Sequence, residues 1–303
     1  MDRIESLRAF TTVIEAGGFA AAARMLGVSR SVVNKAVIAL EGSLGTQLLR
    51  RSTRQVTPTE AGQAFYARSL RVLGEFDDAV ASVGELQAKP AGRLRVNAPM
   101  TFGTLHLAGA VARYMADWPE VHVELVLNDR FVDPIEEGFD VTLRIGAEQV
   151  FTSLVVRPIA TIPLVVCASP AYLETHGAPS HPDELKHHRC LHYGWQESGH
   201  MWRLNGPNGE RSYMVGCVMW SNNGEALMNA AIEHAGIALL PTFIIGDALR
   251  QERLRPLLTE WSAPSIQLSA LYPRHRHASP KVRSFVDWLD ARWRGVSDWG
   301  AEA

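Results

Sequence analysis

The chain has 303 residues, 47% of them hydrophobic and 20% charged, with a net charge of -2. That length exceeds what one hydrophobic core comfortably serves and predicts two or three domains. The composition excludes a disordered or fibrous protein, and no apolar run approaches the roughly 18 residues that span a bilayer.

Ile4, Leu7, Phe10, Val13 and Ile14 recur at helical spacing over residues 3–16, after a charged start without secretory-signal character. Gly17 and Gly18 end that helix. The next, Phe19 to Leu26, is dominated by alanine, whose small side chain lets helices approach closely, and Gly27 suits a left-handed exit. Ser29 is a natural cap for a third helix. On it Val33, Val37 and Leu40 share a core face, while Arg30, Ser31, Asn34, Lys35 and Ile38 share an open one. A basic, hairpin-like segment, Leu49 to Arg54, follows at once. Between Arg24 and Arg54 six bases meet one acid, Glu41, so a slightly acidic chain carries a strongly basic head. Helix, turn, helix and basic hairpin form the pattern of a winged helix-turn-helix, and such a head is the electrostatic footprint of a DNA reader.

Thr57, Pro58 and Glu60 predict a capped helix start, and no proline interrupts the run from Thr59 to Gln87. Roughly 28 residues at ~1.5 Å each make a long rod. Tyr66, Leu73, Phe76, Val80 and Val83 form a heptad-like stripe along it. Such a stripe serves either packing against its own domain or a dimer seam, and the seam is the expectation. Lys89-Pro90-Ala91-Gly92 then reads as a hinge.

From Arg93 strands and helices alternate. Strands are expected at 94–96, 121–127, 141–145, 164–167, 237–240 and 266–271, and helices near 103–117, 132–137, 225–235 and 280–293. The alternation predicts α/β layers on a largely parallel sheet.

These segments resemble the LysR-type transcriptional regulators. The N-terminal carriers are Ala21 to Ala23, Leu26 to Ser29, Leu40-Glu41, Leu44-Gly45, Leu48 to Arg51 and Thr57 to Gly62. The second half adds Asp133 to Asp140, Arg144 to Gly146, Ser169 to Leu173, His188 to Leu191 and Gly236 to Pro241, so the likeness spans residues 1 to about 290. It implies an α+β multidomain chain: a winged helix-turn-helix over 1–58, a linker and dimerisation helix over 59–88, and an effector domain over 89–303. That last domain is expected to resemble a type II periplasmic binding protein, two α/β lobes joined by crossing strands, lobe one about 93–161 plus 267–303 and lobe two about 162–266. The likeness also implies a homodimer assembled into a homotetramer on a pseudo-palindromic double-stranded operator, and the lack of an apolar signal or membrane segment makes the cytoplasm the expected location. Two positions depart from the usual pattern. Arg30-Ser31 replaces a frequent Gln-Pro with Asn34 in place of a commoner serine, and His234 stands where glycine is common.

In the head, Arg30 can bridge guanine O6 and N7, Asn34 can pair with adenine, and Ser31 reaches base or phosphate. Lys35, Arg51 and Arg54 suit phosphates. In a two-lobed α/β fold ligands sit at the carboxyl ends of strands. Met100, Thr101 and Phe102 follow the first strand, Arg144 ends another, and Asn222 and Asn223 open a later helix, so these six are the expected effector site. Helix capping by Thr101 and Asn222, and an ion pair for Arg144, are the alternatives. Tyr193 and Trp195 can wall the cleft for a planar ligand, but in an aromatic-rich lobe such residues are more often core. The effector class expected is a small organic acid or aromatic compound.

No metal or cofactor is expected: His181, His187, His188, Cys190, His192 and His200 lack a closed zinc-site spacing. The three cysteines, Cys167, Cys190 and Cys217, show no CxxC pair, so neither a disulfide framework nor a redox sensor is expected. Nucleotide-binding, hydrolase and metalloprotease motifs are absent from the sequence, so no catalysis is expected. The rival reading is a ligand-binding protein or an enzyme on a binding-protein scaffold without DNA function. It leaves the basic head unexplained.

Overall fold

The computed structural model describes residues 2–51, 56–83, 89–130, 133–135, 137–146, 153–194, 200–274, 279–296 and 299; the side chains of Arg51, Ala67, Glu75, 77–79 and 81–83 fall outside that description. Contacts divide the chain into two units, Met1–Ala88 and Lys89–Ala303.

In the first unit α1 spans Arg3–Glu15, α2 Phe19–Leu26 and α3 Arg30–Leu44. Ser29 caps α3 by accepting from the Val32 N–H at 3.3 Å, a bond of the kind that contributes about 1 kcal/mol. Gly27 leaves α2 at a left-handed φ of 66°. Phe10, Val13, Val33 and Val37 are fully buried, and Ala22 and Ala36 let the helix backbones close around them. Two short strands, β1 (Leu49–Arg51) and β2 (Val56–Pro58), pair antiparallel as the wing. The long helix α4 then runs Glu60–Val83.

Its start differs from expectation. Thr57 and Pro58 belong to β2, and Thr59 is the cap: its Oγ1 accepts from the Gly62 N–H at 2.9 Å and donates to the Gln47 carbonyl at 2.8 Å. The wing wins those two residues because pairing them satisfies backbone groups that a frayed helix turn would leave open. Gly62 is required here, since a Cβ would run into the Leu48 carbonyl.

The second unit holds two five-stranded sheets. Its strands are β3 (Gly92–Ala98), β4 (Val121–Leu127), β5 (Val141–Gly146), β6 (Leu154–Ile162), β7 (Leu164–Ala168), β8 (Cys190–Tyr193), β9 (Met201–Gly206), β10 (Gly209–Met214), β11 (Cys217–Ser221), β12 (Ile237–Pro241), β13 (Arg255–Pro256) and β14 (Ile266–Pro273). Sheet one has the order β4-β3-β5-β14-β6 and sheet two β11-β8-β12-β7-β13; β9 and β10 form a separate hairpin. The helices are α5 (Met100–Phe102), which continues through a π-helical turn at Gly103–Leu107 into α6 (Ala108–Asp117), then α7 (Pro170–His176), α8 (Gly224–Ile232), α9 (Thr242–Arg250) and α10 (Pro280–Trp293).

The sheets are mixed rather than largely parallel. In sheet one β3 pairs parallel with β4 and β5, but β14 pairs antiparallel with β5 and β6; in sheet two β8 pairs parallel with β11 and β12, but β7 pairs antiparallel with β12 and β13. The cause is the chain's double crossing between lobes. β6 passes into β7 through Pro163 alone, and β14 returns, so each sheet receives strands of reversed direction. The helix expected near 132–137 is a turn in its described part, with the Phe139 N–H donating to the Pro134 carbonyl at 2.9 Å. One apolar cluster joins the faces of both sheets to α6, α9 and α10; a smaller one lies under the hairpin.

Candidate functional site

On α3 the side chains of Arg30, Ser31 and Lys35 are exposed and that of Asn34 is half-buried, all away from the buried Val33, Ala36, Val37 and Leu40. The Ser31 hydroxyl lies 2.9 Å from that of Ser29. Ile38, at 50% exposure, stands in the middle of the same face, with Val28 and Val32 exposed beside it. The sequence placed Ile38 on this open face but gave it no base or phosphate to contact, and it left Val28 and Val32 unassigned. Apolar side chains on a recognition helix match the one apolar feature of the major groove, the thymine methyl. Glu41, the single acid of the basic stretch, accepts from the Leu48 and Leu49 N–H groups at 2.8 and 3.1 Å and so pins the wing to α3. Arg54 lies outside the described residues, and of Arg51 only the backbone, in β1, is described.

Along α4 the five stripe residues do not behave alike. Tyr66 packs on the head core and its hydroxyl donates to Glu15 Oε1 at 3.0 Å, so its place is intramolecular. Leu73 is buried within the chain, whereas Phe76 and Val80 are 43% and 58% exposed. The side chain of Val83 lies outside the described residues.

Between the lobes is a cavity of about 390 Å³. Its lining comes from strand ends. β3 delivers Thr101 and Phe102, β4 Asp129, β5 Arg144, β8 Tyr193, β11 Asn222 and β12 Phe243, and the two crossing segments add Leu164 and Ile266. Parallel strands point their carboxyl ends the same way, so one rim collects them all. Thr101 is buried, and its hydroxyl makes no hydrogen bond among the described residues. Phe102 both lines the cavity and packs in the core, edge-on to Phe243 at 5.5 Å and Trp293 at 5.1 Å. Burial first, and then the nearby Arg130, hold the Arg144 guanidinium below the ordinary arginine value, while Asp129 and Glu137 pull the other way. It stays charged at physiological pH. Burial, helped by Asp129, pushes the Tyr193 phenol up, so it serves as a neutral donor.

Two expected site residues are not in this lining. Met100 is exposed, and its backbone N–H already donates to Asp129 Oδ1 at 2.9 Å, so the helix end is partly occupied by the protein's own carboxylate. Asn223 turns its Oδ1 to the Ala226 N–H at 2.9 Å and caps α8. Trp195 lies outside the described residues. Tyr193, weighed from sequence as cleft wall or core, is in the lining; Asp129 and Phe243 were findable, since each closely follows a strand, the same rule that selected Thr101.

Several of the histidines set aside above are engaged locally. Tyr172 stacks on His176 at 4.3 Å and hydrogen-bonds His188 Nδ1 at 3.2 Å, and the Trp202 indole N–H donates to His192 Nδ1 at 3.3 Å. His234 takes a left-handed φ of 64°, and its Nδ1 lies 2.9 Å from the Ser169 hydroxyl. Cys217 on β11 is the register partner of Cys190 on β8, and both thiols are free, donating to the separate backbone carbonyls of Met219 and Leu185. Burial pushes the Cys190 thiol up to about 12, far from a reactive thiolate.

Residues 4–63 match the sequence family described as bacterial regulatory helix-turn-helix protein, lysR family, and residues 87–294 match the LysR substrate binding domain. The chain belongs to the LysR family of transcriptional regulators. This LysR-type regulator is 37% identical to an HTH-type transcriptional regulator of Haemophilus influenzae, over 93% of this chain and 98% of that protein. It is 31% identical to the HTH-type transcriptional regulator PtxR of Pseudomonas aeruginosa, over 94% and 91% of the two chains. Among solved structures, the LysR-type regulator CrgA of Neisseria meningitidis superposes with a TM-score of 0.62 at 29% identity, covering 95% of this chain and 98% of that one. AphB, the virulence activator of Vibrio cholerae, gives 0.60 at 26% identity, covering 96% and 99%. The LysR-type regulator thus joins a DNA-binding helix-turn-helix to a two-lobed substrate-binding domain, which leaves no room for a binder without DNA function. Among the described residues no helix is long and apolar enough to cross a membrane.

Proposed function

We propose that the regulator reads a pseudo-palindromic operator through Arg30, Ser31, Asn34 and Lys35, with Arg51 and Arg54 on phosphates, and that a ligand between the lobes changes this grip. It works in the cytoplasm, without catalysis of its own, as a homodimer or homotetramer joined along α4. The functional division is 1–58 for DNA, 59–88 for dimerisation and 89–303 for the effector. What supports the ligand reading is the interlobe cavity, where Thr101, Arg144, Tyr193 and Asn222 offer polar groups over the apolar Phe102 and Phe243. Asp129 shares the rim, so the ligand that fits is a small organic acid or aromatic compound with a hydroxyl or amine to meet that carboxylate as well as a group for Arg144.

The test is calorimetry of the full-length protein with a panel of small organic and aromatic acids, repeated on Thr101→Val. A bound compound should lose about tenfold in affinity in the variant, the scale of one hydrogen bond in a dry site. Unchanged binding removes Thr101 from the site. The same compound should shift operator mobility with the wild-type protein.

A further inference from the structure

A second cavity, of about 310 Å³, lies among α6, α9 and the C-terminal tryptophans. Phe243 lines both cavities, and Phe102 of the cleft packs edge-on against Trp293 and Trp299 of the second. Nothing in the regulator's DNA grip or interlobe cleft uses this space. Its lining contains Arg113 from α6 and Arg253 from the segment after α9. Both are exposed, and neither guanidinium has a hydrogen-bond or ion-pair partner among the described residues. The one carboxylate of the described lining, Asp247, is held by Arg250 of its own helix. Among the described residues the lining therefore carries an excess of positive charge, to which Arg292 adds.

Besides His106, whose Nε2 lies 2.8 Å from the Phe243 carbonyl, and Arg292, the rest of the described lining is largely apolar and partly aromatic. Trp293 and Trp299 are buried with their rings 5.9 Å apart, and Phe243 stands edge-on to Trp299. Trp299 is 3% exposed, and its Nε1–H has no acceptor among the described residues. Indole N–H groups that are buried normally find one.

We infer that this cavity is a second ligand site for a small planar aromatic carboxylate. The ring lies against Phe243 and the tryptophans, and the carboxylate meets the Arg113 and Arg253 forks, whose planar donors match its two oxygens. The volume is at the lower end of ligand pockets and admits one or two fused rings. The shared Phe243 makes it a neighbour of the cleft, so separate variants are needed to tell the two apart.

The probe is naphthoate, titrated into the full-length protein with tryptophan fluorescence and calorimetry as readouts, and its neutral amide as control. Saturable quenching is expected, with the amide at least about tenfold weaker. The double variant Arg113→Gln, Arg253→Gln should weaken naphthoate at least about tenfold at an unchanged melting temperature, because both side chains are exposed. Thr101→Val with Arg144→Gln, confined to the cleft, should leave this binding within about twofold. Absence of saturable binding up to about 1 mM overturns the inference. So does binding that survives the double arginine variant, or that disappears in the cleft variant, which would seat the probe between the lobes.

Discussion

Arg30 is the first residue of α3 after the Ser29 cap, the position from which a recognition helix leads into the major groove. Arg30→Ala should cost ~1–3 kcal/mol on the cognate operator and flatten discrimination at one base pair, read by mobility shift against singly substituted operators. Equal losses on all sequences would make Arg30 a phosphate contact instead. At the far end of the chain Asp290, 4% exposed, receives Arg157 Nη2 at 2.7 Å and the Arg294 guanidinium. The Arg294 hydrogen bond, with Arg157 behind it, holds its carboxyl below the usual aspartate range against the opposing effect of burial. A depressed folded-state pKa means stability present above the unfolded value of ~3.9 and lost as pH falls through the folded one. Asp290→Asn should therefore show a constant melting deficit from about pH 7 to 5 that shrinks below about pH 4. A deficit independent of pH would assign the loss to packing alone. Residues of this kind were not legible in advance: the partners Arg157 and Asp290 are brought together by β6 and α10, and no local pattern announces a long-range pair.

At the scale of elements, α4 separates two uses of one stripe. Its first turns pack on the head through Phe65 and Tyr66, while Phe76 and Val80 stay open. Phe76→Asp should weaken self-association by roughly 1.5–3 kcal/mol, about one to two decades in dissociation constant, measured by sedimentation over a concentration series. An unchanged profile would move the seam elsewhere. The elements with strong periodicity, α1 to α3 and the strands at 121–127 and 237–241, were readable because their burial is set within a few residues. Others were harder. The hairpin of β9 and β10 carries Asn208-Gly209 and the alternation of buried Trp202 and Leu204 with exposed Arg203, a signal present but short. The π-helical turn at Gly103–Leu107 has no sequence mark. Thr57 against Thr59 as helix cap was undecidable locally, because the wing pairing that claims Thr57 comes from Arg50.

For the whole molecule, the rule that strands aim their carboxyl ends at a cleft picks out from sequence Thr101, Phe102, Arg144 and Asn222, four residues that line one interlobe cavity. It missed Asp129 and Phe243 only where it was not applied to every strand. The lobe crossing has a further consequence, which is one of parity. On β7, Val165 and Cys167 face the large core while Val166 and Ala168 face the small one, and Pro163 alone fixes which is which. Because side chains alternate strictly along a strand, one residue added after Pro163 would exchange the two sets, and two added residues would return each to its own side. A single glycine inserted there should abolish the cooperative melt of the effector half, and a second should recover much of it, as followed by near-ultraviolet circular dichroism. The connection between lobes counts odd from even, and only one of the two is a folded protein.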